Sequence, residues 1–178
     1  MGPITPVSAA LLGVEHPHSL GHLRTLQQLP EVQRIYLWDE NAEALARVSA
    51  ELPDKVVGVS TNLDEVLAYD DLYFVIAAVR NDLGKELFTR ALDAGKHVLA
   101  EKPIGRNAAE TKIVIDAAKR AGRKLGVCYQ NRANAVIQEA RRIVATGVLG
   151  PLMSVEMRLI TTAVRFRKPE HWLFNKEK

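Results

Sequence analysis

Two neighbouring charged residues, Glu101 and Lys102, follow the apolar segment His97–Ala100 and precede Pro103. If that segment is a buried strand, both side chains emerge at its carboxyl end, where parallel sheets bind their ligands. An ammonium group placed there can hydrogen-bond to a substrate oxygen and favour its alkoxide form during hydride transfer. A surface ion pair at a strand end is the alternative, and the tripeptide by itself does not distinguish the two.

The turn after the first predicted strand stands where a dinucleotide-binding fold has its G-x-G-x-x-G phosphate loop. Gly13 matches the first glycine, whereas Glu15 and His18 occupy the second and third glycine positions. The segment is either a tight turn before a helix or an altered phosphate loop in which His18 donates a hydrogen bond to the ligand.

Asp39 ends the second predicted strand, where a carboxylate can accept hydrogen bonds from the ribose hydroxyls of an adenosine. With Glu40 beside it, Asp39 would repel the 2′-phosphate of NADP, so the pair favours NAD. Arg47 could reach inward from the next helix and offset that repulsion. Asp39 could instead only cap this helix, a role that is open to Asn41 as well.

Three histidines of the first loop and helix allow a different interpretation. His16, His18 and His22 could bind a metal together with Glu15, and an H-x-H pattern after a first strand is typical of metal-dependent hydrolases built on β/α barrels. Such hydrolases need further histidines and an aspartate at later strand ends, which this sequence does not supply. We therefore predict no metal site.

The elements that must position these residues are alternating strands and helices. The predicted strands are Val7–Gly13, Arg34–Trp38, Val56–Val59, Leu72–Val79, His97–Ala100 and Lys124–Tyr129. The predicted helices are Leu20–Leu29, Ala42–Leu52, Leu63–Ala68, Leu83–Ala94, Ala108–Ala121 and Ala135–Ala145. This order predicts an α/β fold with a doubly wound, mostly parallel sheet, as in NAD(P)-binding Rossmann domains.

The segment Leu152–Ile160 alternates apolar and polar residues, which predicts a strand with one buried face. We expect residues 1–150 to form the dinucleotide-binding domain. Residues 151–178 would then supply the first strand and tail of an incomplete second α/β domain for substrate and oligomerisation. Because that strand lacks its sheet, we expect the chain not to stay a monomer and to show little or no turnover by itself.

Composition narrows the possible partners. The 178 residues contain 24 Lys and Arg against 21 Asp and Glu, and these charges are dispersed, so we expect no nucleic-acid partner. The longest apolar runs, such as Leu72–Val79, are well short of the roughly 18 residues that cross a bilayer, which predicts a cytoplasmic protein without membrane contact. The single cysteine, Cys128, is predicted as a buried strand residue.

Three segments resemble a known family. Gly95–Ile104 (G-K-H-V-L-A-E-K-P-I) resembles the A-G-K-H-V-x-x-E-K-P signature of the Gfo/Idh/MocA family, the nicotinamide-dependent glucose-fructose oxidoreductase and inositol dehydrogenase group. Val75–Asn81 (V-I-A-A-V-R-N) is similar to the family's V-x-I-A-T-P-N strand end. Arg141–Val155 resembles its helix ending in S-G-x-L-G-x-[IL].

The resemblance implies NAD as cofactor, with NADP less favoured, and a sugar, cyclitol or other polyol-like alcohol as substrate, in an enzyme that commonly forms homo-oligomers. It implies that Lys102 is catalytic, that Glu101 helps bind the cofactor ribose and that Asn81 lines the cofactor cleft. The family's second catalytic motif, D-x-x-x-H, has no match in this sequence. His171 does not supply it, because Pro169–Phe174 resembles the tryptophan-containing segment that comes before that motif in the family. A non-catalytic NAD-binding or sensor protein of the same fold is therefore the alternative.

Overall fold

A parallel sheet organises the chain. In the computed structural model, which describes residues 5–49, 54–160, 165 and 167–175, the strands are β1 (Val7–Leu12), β2 (Val32–Trp38), β3 (Val56–Ser60), β4 (Leu72–Ala77), β5 (His97–Ala100) and β6 (Leu125–Val127). They lie side by side in the order β3-β2-β1-β4-β5-β6, and every neighbouring pair is parallel. The predicted α/β fold is confirmed.

Helices connect these strands. They are α1 (Ser19–Gln28), α2 (Ala42–Ser49), α3 (Leu63–Leu67), α4 (Asn81–Asp93), α5 (Ala108–Ala121) and, after the last strand, α6 (Ala135–Ala145). Local sequence sets their ends: the side chain of Asn107 accepts a hydrogen bond from the N–H of Glu110 at the start of α5, and Gly122 ends that helix with a φ of 62°. The predicted end of α2 at Leu52 falls outside the described residues. Within the described part of the chain, no helix is long and apolar enough to span a membrane.

The sheet buries apolar residues on both faces. One core joins Leu12, Val75 and Val98 to apolar residues of α3, α4 and α5. The other joins Leu11 and Ile35 to apolar residues of α1 and α2. Since successive strand residues point to opposite faces, covering both faces requires the continuously apolar strands seen in the sequence.

The described residues divide into two compact units. The first extends to Cys128 and contains the whole sheet, and the second begins at Tyr129 and contains α6. The division into domains after residue 150 stays a prediction.

The predicted strand Leu152–Ile160 is wrong. These residues form no regular secondary structure, and their apolar side chains are exposed, with Met153 94% and Leu159 84% accessible. A strand needs a neighbour to satisfy its backbone N–H and C=O groups. Within the described residues, strand pairing involves only β1 to β6. Residues 152–160 therefore have no neighbouring strand to pair with, although their apolar residues alternate.

Candidate functional site

The carboxyl edge of the sheet gathers the residues singled out in the sequence. The strand order reverses between β1 and β4, because the chain extends from β1 through β2 to β3 on one side and then returns to β4 on the other. In open α/β sheets this switch point leaves a crevice beyond the strand ends, where ligands bind. Gly13, Asp39 and Glu101 directly follow β1, β2 and β5 at this edge.

Gly13 allows the first loop to pack against its neighbours. Its φ is +90°, and a Cβ atom at this position would lie 2.1 Å from the carbonyl oxygen of Ala78. The N–H of Gly13 donates to the carbonyl of Trp38 at 2.7 Å, and the hydroxyl of Ser19 donates to the carbonyl of Gly13 at 2.7 Å. Only glycine meets both the backbone angle and the close approach.

Asp39 organises the same loop. Its carboxylate is 6% exposed, and one oxygen accepts hydrogen bonds from the N–H groups of Val14 at 2.7 Å and Glu15 at 3.3 Å. The other oxygen accepts from the N–H of Asn41 at 2.9 Å. The side chain of Asn41 caps α2, accepting hydrogen bonds from the N–H groups of its first turn at 3.0 and 3.2 Å. Asn41, and not Asp39, is therefore the helix cap, and Asp39 instead holds the first loop.

Glu101 is the most enclosed carboxylate at this edge, at 4% exposed. One oxygen lies 2.9 Å from Nδ1 of His18 and 2.8 Å from Nε2 of His22, and the other accepts from the N–H of Lys102 at 3.2 Å. Burial alone would raise the pKa of Glu101, but the hydrogen bonds of His22, His18 and the Lys102 N–H hold it below its ordinary value. Glu101 is therefore an ionised carboxylate at neutral pH.

His16 has a different environment from His18 and His22. Burial, followed by the nearby charge of His18, lowers the pKa of His16 from 6.5 to about 4. Its Nδ1 accepts a hydrogen bond from the N–H of His18 at 3.2 Å. His16 is thus neutral at physiological pH and helps to shape the loop.

Cys128 is not the buried strand residue that the sequence predicts. It lies one position beyond β6 and is half-buried, and its N–H donates to the carbonyl of Ala100 at 2.9 Å. Burial and the adjacent charge of Glu101 raise the pKa of its thiol to about 11. The prediction followed the apolar run to Tyr129, but pairing with β5 includes only the three residues of β6 and stops at Val127.

The remaining predicted residues lie around this centre. Lys102 is exposed directly after Glu101, and Asn81 is the half-buried first residue of α4. The structure therefore joins His18 to Glu101 directly and Gly13 to Asp39 through the backbone of the loop.

Sequence reasoning missed two partners of Glu101. The sequence indicates His22 only as part of a histidine cluster, although His18 and His22 are four residues apart and so face the same side of a helix. Cys128 follows a strand adjacent to the one that precedes Glu101, which places both residues at the same edge of a parallel sheet. These two signals together could have found the group.

Arg80 is a further polar residue at this edge that the sequence did not single out. It pairs with both carboxylate oxygens of Asp82 at 3.1 Å and with Glu40 at 2.6 Å. Hydrogen bonds to Asp82 raise the pKa of Arg80. This cation spans from the end of β4 to the residue that follows Asp39.

Comparisons with known proteins agree with this architecture. A family model described as the GFO_IDH_MocA oxidoreductase family with an NAD-binding Rossmann fold matches residues 9–129. An uncharacterised oxidoreductase of Schizosaccharomyces pombe is 30% identical over 158 residues, covering 88% of this chain and 42% of that protein. The 1,5-anhydro-D-fructose reductase of Ensifer adhaerens is 32% identical over 90 residues, covering 51% of this chain and 27% of that protein.

A solved structure shows the same fold. The WlbA dehydrogenase from Bordetella pertussis, in complex with NADH and UDP-GlcNAcA, superposes with a TM-score of 0.73 at 26% identity, covering 83% of this chain and 42% of that one. The chain thus spans about two fifths of the length of this structure and of the Schizosaccharomyces pombe relative. The family match over residues 9–129, the sheet order and the Glu-Lys-Pro segment lead to one conclusion: this chain belongs to the Gfo/Idh/MocA family of oxidoreductases.

Proposed function

We propose that the chain is the cofactor-binding part of an oxidoreductase that transfers a hydride between NAD and a CH–OH group of a sugar- or polyol-like substrate. The observation that carries this proposal is that Glu101 and Lys102 stand side by side in the chain directly after the carboxyl end of β5. Glu101 is buried, and it is bonded by His18 to the first loop and by His22 to α1; Lys102 beside it is exposed. The names of the sugar-related family members support the choice of substrate class.

The first loop fits a dinucleotide. Gly13 gives the loop a tight turn with a φ of +90°, as the first glycine of a dinucleotide-binding loop does. Glu15, which occupies the second glycine position, pairs with Arg47 at 3.3 Å, so an opposite charge accompanies the carboxylate that would otherwise repel a phosphate. Asp39 accepts three hydrogen bonds, and a carboxylate has about four acceptor positions, which leaves one for a ribose hydroxyl.

The residues that would hold the dinucleotide are Gly13, His18, Asp39, Asn81 and Glu101. When bound, the nicotinamide ring exchanges a hydride with the substrate carbon. Lys102 would donate a hydrogen bond to the substrate oxygen and stabilise its negative charge as the carbon loses or gains the hydride. Glu101 would accept a hydrogen bond from a ribose hydroxyl, because its hydrogen-bond partners lower its pKa and keep the carboxylate ionised.

NAD is expected to bind more tightly than NADP. A 2′-phosphate would approach the carboxylates of Asp39 and Glu40. Arg80 offsets the charge of Glu40 but makes no such pair with Asp39, which bonds to backbone amides. Calorimetric titration of both dinucleotides tests this preference, and equal or reversed affinity would remove Asp39 from its proposed role.

Lys102 provides the test of the catalytic proposal. In the active protein, Lys102→Ala should lower kcat much more than it weakens dinucleotide binding, since the ammonium group acts on the substrate oxygen. Lys112→Ala, which removes an exposed lysine of α5, is the matched control and should leave both unchanged. If kcat of Lys102→Ala stays within about tenfold, a loss of roughly 1.4 kcal/mol, the lysine is structural.

Self-association and low turnover of the 178-residue chain stay predictions. The exposed apolar side chains of residues 152–160 support association, because surfaces of this kind are usually covered. Light scattering on the chain and on a version ending at Gly150 measures the effect. Two equally soluble monomers would contradict it.

A further inference from the structure

Three different donor atoms meet at the carboxyl edge of the sheet. A ring nitrogen of His22 comes from α1, a carboxylate oxygen of Glu101 follows β5, and Sγ of Cys128 follows β6. All three atoms lie within 4.8 Å of one another. They are far apart in sequence, so the fold, and not a local turn, brings them together.

The three donor atoms are close enough for one ion to bind them all. A tetrahedral ion with ligand bonds of roughly 2.0–2.3 Å separates its ligand atoms by about 3.3–3.8 Å, which small side-chain rotations can reach from the observed spacing. Glu101 is held in place by its hydrogen bond from the N–H of Lys102, the kind of supporting contact that orients metal-binding carboxylates. His22 and Glu101 are already in contact at 2.8 Å.

A fourth position is also available. Nδ1 of His18 lies 2.9 Å from the same Glu101 oxygen that His22 contacts. The imidazole of His18 or a water molecule can therefore complete four-coordination, since zinc sites with three protein ligands keep the fourth position for an exchangeable group.

We propose that His22, Glu101 and Cys128 form a binding site for a borderline-soft divalent ion of the Zn²⁺ class. The donor set selects the ion: imidazole and thiolate suit Zn²⁺ and Co²⁺, whereas Mg²⁺ and Ca²⁺ require oxygen ligands. On binding, the S–H bond of Cys128 breaks, the thiolate donates its electron pair to the metal, and the proton passes to the solvent. No change of oxidation state is involved.

The site has a consequence for the cofactor, which rests on the proposed function. Glu101 is the residue to which we assign the ribose contact, and a carboxylate that ligates a metal offers less to a hydroxyl. Zn²⁺ should then weaken the binding of NAD(H), and a chelator should restore it. The metal site itself is independent of this linkage and is tested without dinucleotide.

The direct test is titration of the chelator-treated 178-residue chain with Co²⁺, followed by competition with Zn²⁺. We expect one equivalent of Co²⁺ with thiolate-to-cobalt charge-transfer absorption, which Zn²⁺ displaces. Cys128→Ser should abolish this absorption, and His22→Gln should weaken binding about 100-fold. His97→Gln is the matched control, because His97 accepts from the N–H of Lys124 at the opposite edge of the sheet, and it should bind as the wild type does.

A second measurement needs no variant. Cys128 is the only thiol, so alkylation of the wild-type chain reports on this position alone, and Zn²⁺ should slow it. Binding below one equivalent, an absorption that survives in Cys128→Ser, or an equal loss in His97→Gln would overturn the proposal. So would unchanged alkylation at saturating Zn²⁺. If NAD(H) fails to bind while these metal results hold, the proposed function fails and the metal site stands.

Discussion

Carboxylates lie at both edges of the sheet, exposed at the amino edge and buried at the carboxyl edge, and they have different partners. At the amino edge, Asp71 accepts hydrogen bonds from the hydroxyl of Ser8 at 2.6 Å and that of Tyr36 at 2.9 Å. At the carboxyl edge, Asp39 is bound by backbone amides, and Glu101 by two imidazoles and one amide. The amino edge ties neighbouring strands to each other, whereas the carboxyl edge ties a loop to a strand end.

This difference separates stability from ligand binding. The partners of Asp71 also include Arg34 at 3.1 Å, so its negative charge already has a cation beside it. Glu101 has imidazoles that can exchange their hydrogen bonds and an exposed Lys102 beside it. We therefore expect substitutions at the amino edge to change the free energy of unfolding alone, and those at the carboxyl edge to change ligand affinity as well.

The largest effect on stability is expected at Gly13. Gly13→Ala places a methyl group 2.1 Å from a backbone oxygen at a φ of +90°, which should lower the free energy of unfolding by about 2–5 kcal/mol. Gly21→Ala is the control, because Gly21 lies within α1 and a Cβ there meets nothing within 4 Å. It should raise stability by about 0.5–1 kcal/mol. Urea denaturation measures both, and equal effects would contradict this account of the loop.

Asp39→Ala is expected to act on both stability and binding. It leaves backbone N–H groups of the loop without their acceptor, which should cost about 1–3 kcal/mol in the free energy of unfolding. It should also weaken NAD binding and reduce the difference in affinity between NAD and NADP. Asn41→Ala, which removes the helix cap beside it, should lower stability without changing that difference. A loss of stability with unchanged dinucleotide preference would limit Asp39 to a structural role.

The smallest expected effect is the pH dependence of the amino edge. The hydrogen bond from Ser8, together with those of other groups around it, lowers the pKa of Asp71 from its ordinary value of 3.8. Asp71 therefore stabilises the fold above that value and loses its contribution as the pH falls through the lowered pKa. The difference in stability between the wild type and Asp71→Asn should shrink as the pH falls.

Urea midpoints measured between about pH 5 and pH 2 follow this difference. Asp93→Asn is the control, since Asp93 forms an exposed pair with Arg120 at 2.7 Å and should contribute little at any of these pH values. A difference for Asp71→Asn that stays constant as the pH falls would contradict the proposed role of its ionised form.

The fold could be predicted because both of its signals are local. Apolar runs such as β4 follow from burial on two faces, and the alternation with helices requires parallel crossovers. The segment Leu152–Ile160 shows where this reasoning fails. Its alternation is as clear as that of a half-buried strand, but pairing depends on a neighbour, which a pattern within one segment does not specify.

The site could be predicted only in part. Gly13, Asp39 and Glu101 could be placed together at the carboxyl edge because each follows a predicted strand. Their contacts could not be predicted, because the direction of His18 depends on the path of a loop that departs from the glycine pattern. Cys128 was misplaced because strand pairing stops one residue before it, although the apolar run continues.

Binding of NAD(H) to two variants tests the contrast between the edges most directly. After chelator treatment, calorimetry should show that Glu101→Gln weakens binding by about tenfold or more, roughly 1.4 kcal/mol. The substitution removes the negative charge of the carboxylate that contacts both imidazoles and would accept a hydrogen bond from the ribose. Asp71→Asn should bind NAD(H) as the wild type does. Equal affinities for Glu101→Gln and the wild type, or equal losses in the two variants, would contradict the assignment of the carboxyl edge as the cofactor site.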